Sequence, residues 1–436
     1  MGFCIHAFLW AWGENGAMSG NFGFTPGENF SDSQPSRNSS HLPMIATTAL
    51  RDSARNFLAS NPVIPVGIHE VDQIREALEI AQNWLDSATI FPNLSAPQDV
   101  AWSRRDWLDS SIAGWQKIVE PLAEGMASAL AELMSGMNVD DVDMNEIPDM
   151  AKPAFAAMMG GSSPFGGGML AMMRGFMGSM IATQLGQSVG ALSLRVTGAN
   201  DVALPLFARC EPHLIPQNLA LWGEGLDIEA SEIRIFLALR EAAAVRLFTH
   251  APWLSDYMRD AIAAYGRGIS IDIEAIQRQA EEAISSGDLD VENAESINRA
   301  ITSGMFMPEQ SPEQAAALEK VEMALALIEG WIDHVVAVAA SDRLPSLSAL
   351  QEVVRRVRAT NSPTQQLFKS LLNLEVSPRR MRETANFWAD VLRIAGIEER
   401  DHRWEDSALL PMASDLPDPA AFLKSTTVPD DLSGLL

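Results

Sequence analysis

The chain has 436 residues, 47% of them hydrophobic and 20% charged, which is long and apolar enough to bury a large core. Its formal net charge of −26 argues against nucleic acid, whose phosphates need a basic surface, and against anionic membrane surfaces. Cys4 and Cys210 are too few for a disulfide framework or a cysteine-rich zinc site, so we expect free thiols in a cytoplasmic protein.

The first 42 residues are rich in Gly, Ser, Asn and Pro and predict a disordered tail. The opening MGFCIHAFLWAW lacks the positive region and cleavage site of a signal peptide. Met18 offers an alternative start, which leaves open whether residues 1–17 belong to the native protein. No uncharged apolar run reaches the roughly 20 residues that a membrane span needs.

Apolar residues recur at three- and four-residue spacing and predict a mainly α-helical domain over residues 43–400, with an extended tail over 401–436. Irregular structure or short strands are expected over Leu204–Leu226. Pro121 predicts a kink or a break in its helix. The predicted helices are Pro43–Ala59, Glu70–Ala88, Ser103–Met134, Met169–Leu194, Asp227–His250, Trp253–Tyr265, Asp272–Ser285, Val291–Ser303, Ser311–Ala340, Ser346–Thr360, Thr364–Leu372 and Pro378–Ile394.

Two features of these helices bear on packing and charge. Glycines in Met169–Leu194 predict that another helix approaches closely; they are Gly175, Gly178, Gly186 and Gly190. The basic clusters VVRRVR, at Val353–Arg358, and SPRRMR, at Ser377–Arg382, are interpreted as solvated helix faces.

The helix predicted over Asp227–His250 carries charges on its apolar face. Asp227 is its expected cap. Arg240 falls on the apolar stripe and Glu241 borders it, and such charges are costly unless they are paired. This face of the helix is therefore interpreted as a functional site or as the remains of a functional site.

The spacing around Glu241 indicates which kind of site. A zincin helix carries H-E-x-x-H, in which two histidines bind zinc and the glutamate is the general base. The five positions here read Arg240-Glu241-Ala242-Ala243-Ala244. Arginine has no free lone pair and alanine has no donor atom, so the residues alone favour an ordinary helix over a zinc site.

Six separated segments, in the same order, carry a resemblance to a known family. They are AWSRRDWLDSSIAGWQKIVEPLAEGM at Ala101–Met126, MIATQLGQSVGALS at Met180–Ser193, DVALPL at Asp201–Leu206, FLALREAAAVRLFTHAPWL at Phe236–Leu254, PEQAAALEKVEMALALIEGWIDHVV at Pro312–Val336 and LLPMASDLPDP at Leu409–Pro419. Over roughly Val71–Pro419 the chain resembles actinobacterial zincin-like proteins described as zinc-dependent metalloproteases or hydrolases. That family is related to a zincin-like group associated with biosynthesis of the deazaflavin coenzyme.

The resemblance implies a mainly α-helical, zincin-like fold and a set of roles. Glu241 matches the general-base position, and Glu329, in LIEGWIDHV, matches the third zinc ligand. Arg240 and Ala244 stand at the two histidine positions, which are thus degenerate. Zinc is implied by the resemblance only, and we expect it to be absent or bound in a non-standard way. The expected function is that of a weakly active or inactive metalloprotease or hydrolase.

Three alternatives for the site remain open. Arg240 could pair with Glu329, with Glu241 or with both, as a cation that replaces the metal. A metal could instead be held by Glu241 and Glu329 with His250 or His334, although His250 is better interpreted as binding free carbonyls at its helix end. A metal-free hydrolase could use Glu241 as a base, and Cys210 with His213 is a weaker nucleophile pair.

A last alternative is a non-catalytic scaffold or interaction protein on the same fold. It fits the loss of both histidine ligands. Its partner would be an unidentified protein or peptide.

Overall fold

The computed structural model describes residues 43–94, 96–136, 167–269, 311–361 and 380–426, together with positions 286, 365, 367 and 369. The first 42 residues and the helices predicted at 272–285 and 291–303 lie outside the described residues. So does most of the helix predicted at 364–372.

The described part of the chain is helical and contains no strand, which confirms the expectation of a mainly α fold. Two isolated bridges join Leu214 to Ala101 and to Gly198, in the stretch where irregular structure or short strands were expected. The α-helices are α1 (Thr47–Ala59), α2 (Ile68–Leu85), α3 (Arg104–Gly136), α4 (Gly167–Ser193), α5 (Pro216–Trp222), α6 (Ala230–His250), α7 (Leu254–Arg267), α8 (Pro312–Ala340), α9 (Leu347–Asn361), α10 (Met381–His402) and α11 (Pro419–Thr426).

Helix α3 begins at a capping box and continues through its proline. Ser103 N–H donates to Asp106 Oδ2 at 2.8 Å, and Asp106 N–H donates to Ser103 Oγ at 3.2 Å. The helix continues through Pro121, so a break at this residue is wrong and a kink stays a prediction. Ile118, Val119 and Leu122 around it are buried, so packing holds the backbone helical despite the missing N–H.

The described chain divides into two compact units, and the single domain predicted over 43–400 stays a prediction. The larger unit comprises Ile45–Ala123, Gly178–Arg267 and Pro312–Leu436. Two of its boundaries with the other unit fall inside α3 and α4, and the others fall outside the helices. All site residues described below belong to the larger unit.

Helix α6 lies at the centre of the larger unit. It packs against α2, α8, α9 and α5, and every residue from Phe236 to Phe248 is buried. The residues of the predicted apolar stripe are buried as expected, but the other residues of this stretch are buried too, because neighbouring elements cover the helix on all sides. The helix begins at Ala230, with Glu229 as a cap residue that makes no side-chain cap bond, so the cap predicted at Asp227 is wrong.

Helix α8 is the second central helix and packs against α10, α7 and α6. Within the described residues it is long and apolar enough to cross a membrane by composition. However, 83% of its apolar window is buried inside the protein, which is the position of a core helix.

Helix α4 packs closely against α1 through two of its glycines. A Cβ at Gly186 would lie 2.6 Å from Leu50 O, and one at Gly190 would lie 2.9 Å from Phe57 Cβ. The predicted close approach is confirmed at these positions. It is wrong at Gly175, where a Cβ would meet nothing within 4 Å.

Residues 401–426 differ from the extended tail predicted there. Helix α10 bends at Gly396, whose φ is +89°, and continues to His402, and α11 follows at Pro419. Asp401 and Trp404 are buried, and Asp401 accepts hydrogen bonds from Thr89 Oγ1 at 2.6 Å and Trp331 Nε1 at 3.0 Å. These long-range contacts fix the end of α10, which the sequence prediction ended at Ile394.

Candidate functional site

Arg240 and Glu329 meet between the two central helices. Arg240, on α6, is 8% exposed, and its Nη2 lies 2.5 Å from Oε2 of Glu329, which is 3% exposed on α8. Arg240 Nη1 lies 4.0 Å from Asp333 Oδ1, one turn further along α8. The pairing expected between Arg240 and Glu329 is therefore present, 89 residues apart in the chain.

A second arginine holds the other oxygen of Glu329. Arg358, on α9, places Nε 2.9 Å from Glu329 Oε1, an ion pair whose geometry does not make a hydrogen bond. Its Nη2 lies 2.5 Å from Asp201 Oδ1 and also donates to the carbonyl oxygen of Asp201 at 2.6 Å. Each carboxylate oxygen of Glu329 is thus held by a different guanidinium group.

Arg358 is buried, which differs from the solvated helix face predicted for its basic cluster. A signal was available, because Leu350, Val354 and Arg358 follow at four-residue spacing and all three are buried on one face of α9. Arg358 thus resembles Arg240: each is a cation on an apolar helix face, where a buried partner is required.

These charges form a buried network that joins α6, α8, α9 and the segment between α4 and α5. Asp333 completes it by binding Arg355 Nη2 at 2.6 Å and accepting from Gln351 Nε2 at 3.1 Å. We call this set the arginine–carboxylate network; its members are Asp201, Arg240, Glu329, Asp333, Arg355 and Arg358. Three arginines balance three carboxylates, so the network carries no net formal charge.

The pKa directions within the network follow from burial and pairing. Burial alone would lower the pKa of Arg358, but the negative charges of Glu329 and Asp201 raise it above its ordinary value. Burial alone would raise the pKa of Asp201, but Arg358 and a hydrogen bond from Thr197 N–H lower it below the usual carboxyl range. Both groups are therefore charged at neutral pH.

Glu241 lies beside Arg240 in the chain but faces a different element. It is 4% exposed and accepts from Asn200 N at 3.0 Å, Asn200 Nδ2 at 2.8 Å and His213 N at 3.3 Å. A Cβ at Gly198 would lie 2.4 Å from Glu241 Oε2, so only glycine permits this approach. Burial raises the pKa of Glu241 to about 8, against the lowering effect of those three hydrogen bonds. Its oxygens anchor the segment between α4 and α5.

The residues at the zincin positions do not fit a zinc ion. Such an ion needs three or four nitrogen, sulfur or oxygen donors with free lone pairs. Arg240 offers only N–H donors, buried Ala244 offers a methyl group, and both oxygens of Glu329 are bound by guanidinium groups. Within the described ranges there is likewise no group of three His, Cys, Asp or Glu side chains arranged to bind a metal.

The two histidines considered as substitute ligands have other surroundings. His250 Nδ1 lies 2.8 Å from Arg246 O, and its ring stacks on Phe91 at 4.7 Å, which confirms its role in binding a carbonyl at the helix end. His334 is buried, and burial together with the positive charge of Arg400 lowers its pKa to about 4. His334 is therefore neutral at physiological pH.

Cys210 and His213 do not form a nucleophile pair. His213 Nδ1 lies 2.9 Å from Asp99 O, and its ring stacks on Trp102 at 3.7 Å. Its Nε2 is 3.9 Å from Glu211. Burial and the nearby charge of Glu241 raise the pKa of Cys210 to about 11, so the thiol stays protonated and unreactive at neutral pH.

The sequence profile of the zincin-like metallopeptidases matches residues 47–423, and the chain belongs to this family. A search of curated proteins finds no match. Among solved structures, a protein from Chloroflexus aurantiacus, provisionally described as a hydrolase with a novel fold, matches with a TM-score of 0.53 and 16% identity. The match covers 87% of this chain and 98% of that one, and it establishes similarity of fold.

These comparisons confirm the zincin-like resemblance over most of the chain. The predicted actinobacterial origin and the link to the deazaflavin group stay predictions.

Proposed function

We propose that this chain is a zincin-like protein with weak or no peptidase activity, which acts as a binding or scaffold protein for a protein or peptide partner. The observation that supports weak or absent peptidase activity is that the two oxygens of Glu329 are ion-paired with Arg240 and Arg358. We also propose a cytoplasmic location, for which the two cysteines are the support.

Hydrolysis by a zincin depends on a bound zinc ion, so the pairing of Glu329 with two arginines bears directly on activity. Zinc hydrolases keep one coordination position open for a water, whose pKa the metal lowers. In this chain the third-ligand carboxylate is already neutralised, and two of the remaining ligand positions carry no lone pair. These residues therefore do not provide the zinc site on which hydrolysis by a zincin depends.

Glu241 is similarly committed to another task. A general base must reach the proton it removes, directly or through one water. The carboxylate of Glu241 instead receives hydrogen bonds from Asn200 and His213 N–H. We therefore assign it an anchoring role in this chain.

Elemental analysis and a broad peptidase assay on the same purified protein test the proposal. We expect clearly less than one zinc per chain, and the same low peptide turnover in wild type and Glu241→Gln. Glu319→Gln, an exposed glutamate on α8, is the matched control. Stoichiometric zinc together with a turnover that Glu241→Gln abolishes and Glu319→Gln preserves would refute the proposal.

A further inference from the structure

We infer that Arg240 and Arg358 together replace the metal ion, and that Arg358 is the residue that closes the site to zinc. The inference rests on the proposed function in one respect, namely that the zincin position here carries no zinc. It adds a second residue, from a third helix, that no spacing rule of the zincin motif includes.

The distances support two cations in place of one. Arg240 Nη2 lies 2.5 Å from one oxygen of Glu329, and Arg358 Nε lies 2.9 Å from the other. A zinc ion would bind the same carboxylate oxygens, next to which these two positive charges already lie. The two guanidinium groups together carry a charge of +2, which equals that of one zinc ion. Both groups are covalently part of the chain.

The connections of Arg358 explain how the replacement holds the fold. Through Glu329 it ties α9 to α8, and through Asp201 it ties both helices to the segment between α4 and α5. Arg240 adds α6. Planar guanidinium groups suit this task because they form several directed bonds to carboxylates at once.

The inference predicts that restoring the histidines alone does not restore a good zinc site. Arg240→His with Ala244→His removes one cation and adds two nitrogen ligands, but Arg358 still holds Glu329 Oε1 and repels an incoming dication. Adding Arg358→Met frees that oxygen and removes the positive charge. We expect the triple variant to bind zinc at least about tenfold more tightly than the double variant, the usual scale for changes around a metal ligand.

The test titrates zinc alone into the double and triple variants and measures affinity by calorimetry. Arg356→Met, added to the double variant in place of Arg358→Met, is the matched control because Arg356 is exposed two residues away on α9. It should leave the affinity of the double variant unchanged. Equal affinities of the double and triple variants would overturn the inference.

A second measurement covers the case in which the triple variant is unfolded without metal. Zinc should then induce its near-ultraviolet circular dichroism, and it should raise its urea midpoint more than it raises that of the double variant. A triple variant that stays unfolded at saturating zinc would also overturn the inference. Stoichiometric zinc in the wild-type protein would instead refute the proposed function, so the two failures are distinguishable.

Discussion

Arg240 and Glu241 are adjacent in α6 yet serve different parts of the structure. Successive helical residues point about 100° apart, so Arg240 reaches Glu329 on α8 while Glu241 reaches Asn200 in the segment between α4 and α5. The arginine is paired with charge, and the glutamate is satisfied by neutral N–H groups. This difference sets the pH behaviour of each residue.

Glu241 should make stability fall as pH rises. An unfolded glutamate ionises near 4.5, but the buried carboxyl of Glu241 has a pKa of about 8, so the folded state binds its proton more tightly. The favourable contribution is complete below pH 4.5 and is lost as pH rises to about 8, with a slope of up to about 1.4 kcal/mol per pH unit. Asp201, with its lowered pKa, acts in the opposite sense and only at lower pH.

Urea unfolding of wild type and Glu241→Gln at several pH values between 5 and 8 checks this expectation. The glutamine variant should lose the slope that Glu241 contributes. Identical pH dependence in the two proteins would show that Glu241 is ionised in the folded state across this range.

Removing Arg240 should be costly because it leaves a buried carboxylate short of one partner. We expect Arg240→Met to lower the free energy of unfolding by about 3 kcal/mol, the lower part of the range for breaking a buried pair, since Arg358 still binds Glu329. The measurement is chemical denaturation. Arg234→Met, a half-exposed arginine on the same helix, should change stability by well under 1 kcal/mol. Similar losses in the two variants would contradict a special role for Arg240.

At the scale of elements, α6 and α8 are buried helices whose packing fixes the site. Arg246 joins α6 to α2, where it binds Gln82 Oε1 at 2.9 Å and Asp86 Oδ1 at 2.7 Å. On the far side of α8, Gly330 lies against α10. A Cβ at Gly330 would lie 2.2 Å from Thr384 Oγ1 and 2.8 Å from Ala385 N. The residue after Glu329 therefore packs closely against α10.

Gly330→Ala should destabilise the protein although alanine favours a helix. The added methyl group meets the backbone of α10, which cannot move aside, and overpacking of this kind costs about 1–3 kcal/mol. Gly175→Ala in α4 is the contrasting variant, because its methyl group meets nothing within 4 Å, and it should gain up to about 1 kcal/mol. Thermal unfolding of both variants checks the prediction, and it fails if the two midpoints shift in the same direction.

At the scale of the whole molecule, the positive charges of the arginine–carboxylate network are side chains of the protein. A structural metal that binds only the folded state makes stability depend on metal concentration. Covalently fixed arginines remove that dependence. Because the charged groups of Arg240, Glu329 and Arg358 are buried, salt also screens them weakly.

The wild-type protein should therefore unfold at the same temperature with and without a chelator. Scanning calorimetry in excess EDTA, and again in excess zinc, measures this directly. We expect both midpoints to equal that of the untreated protein within error. A midpoint several degrees lower in EDTA would show that a bound metal stabilises the fold, against the proposed function.

Local patterns predicted much of the helical framework. Apolar spacing predicted α8 at 311–340, where the structure has Pro312–Ala340, and it predicted the end of α6 at His250. It also indicated that Arg240, a charge on an apolar face, needs a partner, and the family resemblance gave Glu329 as one candidate. Helix formation depends on bonds between residues four apart, so a short stretch of sequence contains the information for it.

The tertiary structure alone decided which distant groups meet. Arg358 and Asp201 are 157 residues apart, and their bond depends on how α9 packs beside the segment after α4. The direction of Glu241 depends on the packing of distant segments in the same way, as does the burial of α6 on all sides. The sequence alone determines which residues share a helix face, because the helical backbone repeats about every 3.6 residues. It does not determine which faces meet, because that depends on how the whole chain packs.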